Sequence, residues 1–454
     1  MLPKNYQLFS KSALPALFKR FQPNLDGDKF IAAAHVFPMR VNNHVVDDLI
    51  DWSNASTDPM FRLSIPQPDM LRPHHLNSIL AAMRSPDTTK VEMREISESI
   101  RRLMNPHPAG QKEENVPRVN GEPVAGLQHK YRETVLFFPS EAQFCHAFCT
   151  YCFRWAQFTS VGSDQAFKTS DRDLLVQYIQ QHPRVTDVLF TGGDPMVMSA
   201  SALRHYTKGL YGPDSPPHFN TIRIGTKSLA WWPYRFVTDP DAKETLKLFS
   251  EIVNSGKHLT IQAHFSHPRE VEHPVAQEAI KLIRMTGAQI RSQAPLINHV
   301  NNDPDTWESM WKLQTRLGII PYYMFVERDT GARDYFSVPL AEVLRIFKTA
   351  YSRLPGTART VRGPSMSAGP GKVCVLGKTT INNEECFALM FLQSRNPKWT
   401  ERIFFAKYNR EAVWLDDLEP AFGETEFFFQ KEYDEQREMV NIGSSGQLSL
   451  SGEV

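Results

Sequence analysis

Three cysteines within eight residues are the strongest chemical signal in the chain. Cys145, Cys149 and Cys152 are separated by three and two residues, and they follow a short β-rich run. Thiolates at such spacing are ligands for zinc or for iron–sulfur clusters. A cubane cluster normally takes four cysteines, so three on one loop would leave one iron open to a small molecule. A structural zinc site, with His146 or a distant cysteine as fourth ligand, is the alternative interpretation.

Further candidate residues stand at the ends of β-rich runs. The second, fourth and fifth runs end at Gly192, Gly193, Asp194, His264 and Gln293. Glycines let a backbone approach a ligand closely, although a Gly-Asp-Pro turn would also end a strand. Lys372 ends a Gly-Pro-Gly-Lys sequence, where an amine of lowered pKa could form a Schiff base. Strand-end hydrogen bonding, or a surface lysine after a turn, would explain the same residues without a function.

The composition excludes several classes of function. Lysine and arginine number 51 against 50 aspartates and glutamates in 454 residues, so neither nucleic acid nor a membrane surface is an expected partner. The first 18 residues have no long apolar run, and no stretch reaches the roughly 20 apolar residues of a membrane span. We therefore expect a cytoplasmic protein. The odd number of cysteines, five, argues against a disulfide framework.

An alternation of β-rich and amphipathic segments begins at residue 134. It predicts a parallel sheet with helices outside. Because right-handed crossovers curl such a sheet, we expect an α/β fold with a partial, six-stranded parallel β/α barrel. Ligands of such folds bind at the carboxyl ends of the strands, where the candidate residues stand. The β-rich runs cover residues 134–138, 187–191, 221–226, 258–265, 288–297 and 320–326, and the helical patterns cover 170–181, 241–255, 275–286 and 305–317.

The same pattern divides the chain into three regions. Residues 1–125 are mixed and polar and are expected to form a mostly helical N-terminal region that ends in a linker. Residues 126–375 are expected to hold the barrel with the cluster and cofactor sites. After a last helix at 340–353, residues 356–372 are expected to form a loop. Residues 376–454 are expected to form a C-terminal extension with β-like segments at 402–408 and 425–429 and a flexible tail at 443–454.

The pattern Cys-x3-Cys-x2-Cys after a first β-strand resembles the signature of the radical S-adenosylmethionine superfamily. The resemblance implies a [4Fe–4S] cluster on Cys145, Cys149 and Cys152, with S-adenosylmethionine chelated by the open iron. Electron transfer then cleaves the sulfonium to a 5′-deoxyadenosyl radical. An electron donor such as a flavodoxin or a ferredoxin is implied as a partner.

A longer stretch of the chain resembles lysine 2,3-aminomutase and its relatives. The order and spacing of the matching segments are specific together, although each alone is weak. The segments are residues 123–131, 190–195, 222–226, 263–268, 321–323 and 369–372. The resemblance implies a homo-oligomer formed through N-terminal helices.

The resemblance also implies how cofactors are held. It places in the S-adenosylmethionine site the strand-end residues Gly192, Gly193, Asp194, His264 and Gln293. It implies that Lys372 binds pyridoxal 5′-phosphate as a Schiff base, so that the cofactor π-system stabilises a migrating radical. Family members carry arginines around the cofactor phosphate, and Lys130 and Arg132 stand in that region here.

Two residues concern the substrate by the same resemblance. Arg154 corresponds to an arginine that holds the substrate α-carboxylate, a task that suits the bidentate guanidinium group. Asp329 corresponds to an aspartate that binds the far amine of lysine. Lysine-using members have a second acid shortly before the cofactor lysine, whereas no acid stands between Val361 and Lys372 here. This difference favours an α-amino acid other than lysine.

Three functions stay open at this point. The first is a radical aminomutase, an isomerase that moves the α-amino group of an amino acid to the β-carbon. The second is a radical enzyme on the same scaffold that acts without pyridoxal phosphate on another substrate. The third is a zinc-stabilised binding module without enzymatic activity. Iron with a borohydride-sensitive absorption band, iron alone, or zinc alone would distinguish them.

Overall fold

The N-terminal part of the chain is mostly helical. The computed structural model describes residues 2–22, 24–104, 114–119, 122–159 and 167–445. The N-terminal helices are α1 (Leu14–Phe21), α2 (Gly27–Val36), α3 (Pro59–Ser64), α4 (Pro73–Arg84) and α5 (Lys90–Leu103). Two short strands, β1 (Leu8–Ser10) and β2 (Arg40–Asn42), pair antiparallel beside them. A capping box of Thr89 and Glu92 begins α5.

One large mixed sheet follows, so the α/β class predicted from the sequence is confirmed. After a small hairpin of β3 (Arg118–Val119) and β4 (Glu122–Pro123), the described chain places eleven strands side by side in sequence order. The first, β5 (Leu127–Tyr131), is antiparallel to its neighbour. Parallel pairing then joins β6 (Thr134–Phe137), β7 (Asp187–Phe190), β8 (Thr221–Thr226), β9 (His258–His264), β10 (Gln289–Leu296), β11 (Ile320–Val326) and β12 (Arg362–Ser367).

The six predicted strands lie within one residue of the observed β6–β11. The parallel run nevertheless continues into a seventh strand, β12, which lies inside the segment expected to be a loop. Its sequence is Arg-Gly-Pro-Ser-Met-Ser, with few residues of high strand propensity. Pairing with β11 and with the strand that follows, β13 (Gly371–Ile381), fixes this segment as a strand despite that weak local preference.

Helices connect the parallel strands at the expected places. The four predicted helical patterns correspond to α6, α9, α11 and α12, and the glycines that follow the last three have positive φ angles of 88°, 87° and 76°. Asp171 and Asp303 accept hydrogen bonds at the starts of α6 and α12. The helices are α6 (Arg172–Gln181), α7 (Ala200–Thr207), α8 (Ser228–Trp231), α9 (Ala242–Asn254), α10 (Pro268–Glu272), α11 (Pro274–Met285), α12 (Pro304–Arg316), α13 (Arg333–Phe336) and α14 (Leu340–Ser352).

The C-terminal part of the chain extends the same sheet with antiparallel strands. These are β13 (Gly371–Ile381), β14 (Glu384–Ser394) and β15 (Ile403–Lys407), followed by α15 (Gln430–Ser445). The β-like segment predicted at 402–408 is therefore confirmed. Residues 425–429 are not a strand, because Phe427, Phe428 and Phe429 turn their rings into a cluster around Phe391 and Phe404.

The helical region packs against the loop that carries the three cysteines. One apolar core joins the first helices to Ala147 and Trp155 of that loop and to Trp231 of α8. Two backbone hydrogen bonds tie the loop down, from Phe148 N to Arg40 O (2.8 Å) and from Thr150 N to Leu63 O (2.9 Å). No helix in the described ranges has both the length and the apolar character to cross a membrane.

Candidate functional site

The loop after β6 holds the three predicted cluster ligands. Cys145, Cys149 and Cys152 are half-buried and form no disulfide. The loop is tightly wound, since Cys152 N donates to Cys149 O at 3.1 Å. Burial raises the pKa of all three thiols, that of Cys152 to about 12, and the charge of Cys149 adds to the rise at Cys145 and Cys152. A bound cation would be needed to keep such thiols ionised.

The spread of the sulfur atoms fits a cluster better than a single zinc ion. Zinc–sulfur bonds of about 2.3 Å bring tetrahedral thiolates to within about 4 Å of one another. Among the described residues, only His44, Asp48 and His273 bring three possible ligand atoms within 4.8 Å, so at least one pair of these sulfurs lies farther apart. Three spread thiolates on one loop suit the corners of an iron–sulfur cubane.

The residues that could complete a zinc site are engaged elsewhere. His146 is buried, and its Nδ1 shares a hydrogen bond with Ser228 Oγ at 2.8 Å. Burial lowers the pKa of His146 to about 3. Cys374 and Cys386 are buried in β13 and β14, where neither joins the three loop cysteines in a ligand group.

The Gly-Gly-Asp motif after β7 packs against the residues just before Cys145. Gly193 N donates to Ala142 O at 2.7 Å, and Asp194 N donates to Phe144 O at 2.7 Å. A Cβ atom on Gly193 would collide with the Phe144 backbone carbonyl. The close approach that these glycines permit is thus an approach to the backbone of the cysteine loop.

The Asp194 side chain joins the ends of β7 and β8. It is buried, and its two oxygens accept hydrogen bonds from Thr226 Oγ1, Lys227 N, Ser228 Oγ and Met196 N at 2.7–3.0 Å. Burial raises its pKa, while these hydrogen bonds oppose the rise. Asp194 therefore holds the strand ends that surround the cysteine loop.

His264 and Gln293 lie side by side, with His264 at the end of β9 and Gln293 within β10 rather than at the strand end where it was expected. The two residues face each other across β9 and β10, and Gln293 Oε1 accepts from Gln262 Nε2 at 3.1 Å. Gln262 Oε1 is buried and finds no hydrogen-bond partner in the described structure. Burial lowers the pKa of His264 to about 3, so this imidazole is neutral. The strand ends thus offer neutral polar groups and one unsatisfied acceptor to a polar ligand.

Tyr151 connects His264 to the cysteine loop, and the sequence alone did not single it out. Its hydroxyl lies 3.1 Å from His264 Nδ1 and 3.0 Å from Ser266 Oγ. Burial raises its pKa. Only its place between two of the cysteines could have signalled this role.

A buried ion pair beside Cys149 was also missed. Lys227 Nζ lies 2.7 Å from a Glu270 carboxylate oxygen, and its charge lowers the pKa of Cys149 against the larger effect of burial. Lys227 also lies over the Trp231 ring, whose Nε1 donates to Cys149 Sγ at 3.4 Å. Hydrogen bonds and charges of this kind tune an iron–sulfur centre.

Arg154 lies between the cysteine loop and the Gly-Gly-Asp motif. Its Nη1 donates to Gly192 O at 2.6 Å, and its guanidinium lies over the rings of Phe138 and Phe153. Burial is the largest cause that lowers its pKa, to about 10. The group is placed to hold an anion next to the cluster loop.

Asp329 follows β11 and is half-buried. Its charge raises the pKa values of its neighbours Glu327 and Arg328. The Arg328 guanidinium lies 5.2 Å from the centre of the Phe153 ring, which it shares with Arg154. Glu327 is buried, and burial raises its pKa well above the usual range. Arg328 was not assigned a role from the sequence.

Lys372 is the second residue of β13, opposite Ser367 and Gln393. Its Nζ lies 3.3 Å from Gln393 Oε1. Burial, and then the charges of Arg223 and Arg362, lower its pKa to about 7. A buried amine that loses its proton near neutrality suits a carbonyl cofactor, and nearby guanidinium groups suit a phosphate, so these residues fit pyridoxal phosphate.

The two basic residues expected near the cofactor phosphate, Lys130 and Arg132, have different surroundings in the structure. Lys130 Nζ donates to Ala368 O at 2.5 Å, and the charges of Arg328 and Lys372 help burial to lower its pKa. Arg132 is exposed and pairs with the adjacent Glu133 at 2.6 Å. Of the two, Lys130 is the one whose pKa responds to the charge of Lys372.

Comparisons with known proteins place this site in a family. No protein-family model matches the chain. It is 32% identical over 294 residues to a protein named "Putative L-lysine 2,3-aminomutase" from Aquifex aeolicus, covering 65% of this chain and 74% of that one. The chain belongs to the lysine 2,3-aminomutase family of radical S-adenosylmethionine proteins. It is also 25% identical over 430 residues to the L-lysine 2,3-aminomutase of Fusobacterium nucleatum, covering 89% of this chain and 94% of that one. The resemblance inferred from the motifs is confirmed.

Solved structures give more distant matches. SuiB of Streptococcus suis bound to S-adenosylmethionine matches with a TM-score of 0.35 and 11% identity, covering 61% of this chain and 56% of that chain. A radical SAM methyltransferase from Sphaerobacter thermophilus matches with a TM-score of 0.33 and 15% identity, covering 52% and 68%.

Proposed function

We propose that this member of the lysine 2,3-aminomutase family is an amino-acid 2,3-aminomutase, dependent on pyridoxal phosphate, that moves an α-amino group to the β-carbon. The observation that carries the proposal is the buried Lys372 amine, with a pKa of about 7, in the same molecule as the three-cysteine loop. A radical enzyme without an aldehyde cofactor has no need for a buried, neutral lysine.

Each cofactor has residues that would hold it. Cys145, Cys149 and Cys152 would hold a [4Fe–4S] cluster, and Lys372 would hold pyridoxal phosphate with its phosphate towards Arg362. Arg362 forms no ion pair within the described residues. Once bound, the cluster supplies the electron that cleaves S-adenosylmethionine, and pyridoxal phosphate supplies the π-system across which nitrogen migrates. The six strands β6–β11 would curve around these groups as a partial barrel.

The side chains of the site would bind the cofactors and the substrate, orient them and exclude water. With a pKa of about 7, Lys372 has a large share of its amine in the neutral form at neutral pH, and this form reacts with an aldehyde. Arg154 would hold the substrate α-carboxylate through its bidentate guanidinium. His264 and Gln293 would present neutral polar groups to S-adenosylmethionine. The rings of Tyr323 and Phe325 lie beside the Lys372 amine and exclude water from it.

The test is an absorption spectrum of anaerobically purified and reconstituted protein before and after borohydride. Iron and zinc are assayed on the same sample. We expect iron, and a visible band that borohydride removes with the cofactor trapped on the peptide that contains Lys372. The variant Lys372→Ala should lack that band. Lys378→Ala, which removes an exposed lysine of the same strand that pairs with Glu385, should keep it.

Activity then follows from the same preparation. With S-adenosylmethionine and a strong reductant, an amino acid should be converted to its β-isomer. Iron without the borohydride-sensitive band would reject the aminomutase while keeping radical chemistry. Zinc without iron would reject both.

A further inference from the structure

Two guanidinium groups share one phenyl ring at the edge of the cysteine loop. Arg154 and Arg328 lie 5.3 Å and 5.2 Å from the centre of the Phe153 ring, and the charge of Arg328 lowers the pKa of Arg154. Phe153 directly follows Cys152 in the chain. The two cations therefore converge beside the cluster ligands, where like charges repel unless an anion separates them.

The acids near Arg328 do not neutralise it. No carboxylate of the described residues lies within 4.0 Å of its guanidinium, although the charge of Asp329 reaches it. Glu327 is buried, and burial raises its pKa well above the usual range, which disfavours its charged form. Arg328 is itself half-buried, and burial lowers its pKa. A cation in such a place is costly without a bound counter-charge.

The other anions of the proposed reaction already have partners. Arg154 faces the Gly192 carbonyl and is placed for the substrate α-carboxylate. The charges of Arg223 and Arg362 both lower the pKa of Lys372, but Arg223 already pairs with Asp187, so the cofactor phosphate belongs near Arg362. The charge of Arg328 lowers the pKa values of Lys130 and Arg154 instead of that of Lys372. Arg328 thus remains without a carboxylate at ion-pair distance among the described residues, beside the arginine that is placed for the substrate α-carboxylate.

We propose that Arg328 binds a carboxylate at the far end of the substrate side chain, so that the site takes an acidic α-amino acid rather than lysine. This inference rests on the proposed function and names its substrate class. With Arg154 on the α-carboxylate and Arg328 on the second carboxylate, the two guanidinium groups on Phe153 would grip both ends of a short dicarboxylic amino acid. Bidentate pairing of arginine with carboxylate supplies the selectivity.

The experiment measures binding without turnover. The reconstituted protein, with S-adenosylmethionine but no reductant, is dialysed to equilibrium against labelled L-glutamate, L-aspartate, L-glutamine or L-lysine. Glutamine is the neutral match for glutamate. We expect an acidic amino acid to bind at least roughly tenfold more tightly than glutamine or lysine.

Variants of Arg328 make the test specific. Arg328→Gln should lower the affinity for the acidic amino acid roughly tenfold to a hundredfold and leave the affinity for glutamine unchanged. Arg328→Asp should reverse the preference towards lysine, a gain that misfolding cannot produce. Arg333→Gln, which changes an exposed arginine of α13 that pairs with Asp417, should behave like the unchanged protein.

The outcomes separate this inference from the proposed function. Equal binding of lysine or glutamine by the unchanged protein would overturn it, as would an Arg328→Gln variant that weakens all four ligands alike. Loss of pyridoxal phosphate absorbance in Arg328→Gln would assign this arginine to the cofactor phosphate and also overturn it. If the unchanged protein lacks the borohydride-sensitive band, the proposed function itself fails and the inference with it.

Discussion

The Lys372 amine, on β13, lies 4.0 Å from the centre of the Tyr323 ring, on β11. Burial and two arginines lower its pKa from 10.5 to about 7. Because the neutral amine is the reactive form, the rate at which the apoprotein takes up pyridoxal phosphate should rise with pH through about 7 and then level off. An ordinary lysine would keep gaining reactivity up to about pH 10.4. Stopped-flow absorbance measures this rate, and a midpoint near pH 10 would contradict the burial argument.

The same shift predicts how the stability of the apoprotein depends on pH. The folded-state pKa of Lys372 is below the unfolded value, so the unfolded chain binds more protons between pH 7 and about pH 10.4. Lys372→Met should therefore be the more stable protein at pH 6 to 7, by on the order of a few kcal/mol. Its advantage should shrink as the pH rises towards 10. Urea unfolding at several pH values tests this, and a constant difference would show that Lys372 is not desolvated.

Gly193 is expected to tolerate no side chain. A Cβ atom there meets the Phe144 carbonyl, whereas one on Gly225, at the next strand end, meets Phe190 O at an ordinary 3.4 Å. Gly193→Ala should displace the residues before Cys145, lower the bound iron after reconstitution and cost about 1–3 kcal/mol of stability. Gly225→Ala should retain iron. Equal iron in both variants would show that the cysteine loop can move away without loss.

The sequence predicted those strands whose local residue pattern agrees with their packing in the structure. Strands β6–β11 are apolar runs between helical patterns, and each was placed within one residue of its observed bounds. The seventh parallel strand was missed because its residues, 362–367, are mostly small or polar and have little strand propensity. Its conformation comes from pairing with neighbours on both sides, which no local pattern records.

For the site, spacing and strand ends identified the residues, but not their partners. The cysteine loop and His264 stand where parallel strands end, whereas Gln293 lies within β10, where it pairs in register with His264. Tyr151 and Arg328 were missed because their roles depend on contacts with distant segments, through His264 and Phe153 respectively. Asp194 stood out in the sequence, but the structure engages its carboxylate in joining two strand ends.

Trp231 should raise the reduction potential of a cluster bound to Cys149. Its Nε1–H donates to Cys149 Sγ, and a hydrogen bond to a ligand sulfur favours the more negative, reduced cluster. Trp231→Phe keeps a ring under Lys227 and removes the donor, so the potential should fall by a few tens of millivolts, since about 1 kcal/mol corresponds to roughly 40 mV for one electron. A redox titration followed by electron paramagnetic resonance measures it. Trp399→Phe, which removes a donor to Glu432 far along the chain, is the control and should leave the potential unchanged.

Asp194 cannot be replaced by its amide without loss, because both of its oxygens accept from a backbone N–H. One oxygen accepts from Met196 N and the other from Lys227 N, each at 2.9 Å, so the NH₂ of Asp194→Asn would face a donor in either orientation. We expect a loss of about 3 kcal/mol in the free energy of unfolding by urea, together with reduced iron binding. Asp171→Asn is the matched control, since Asp171 caps α6 in an exposed position where asparagine caps equally well. If Asp194→Asn were as stable as that control, the strand ends around the cysteine loop would have to be held by contacts other than this carboxylate.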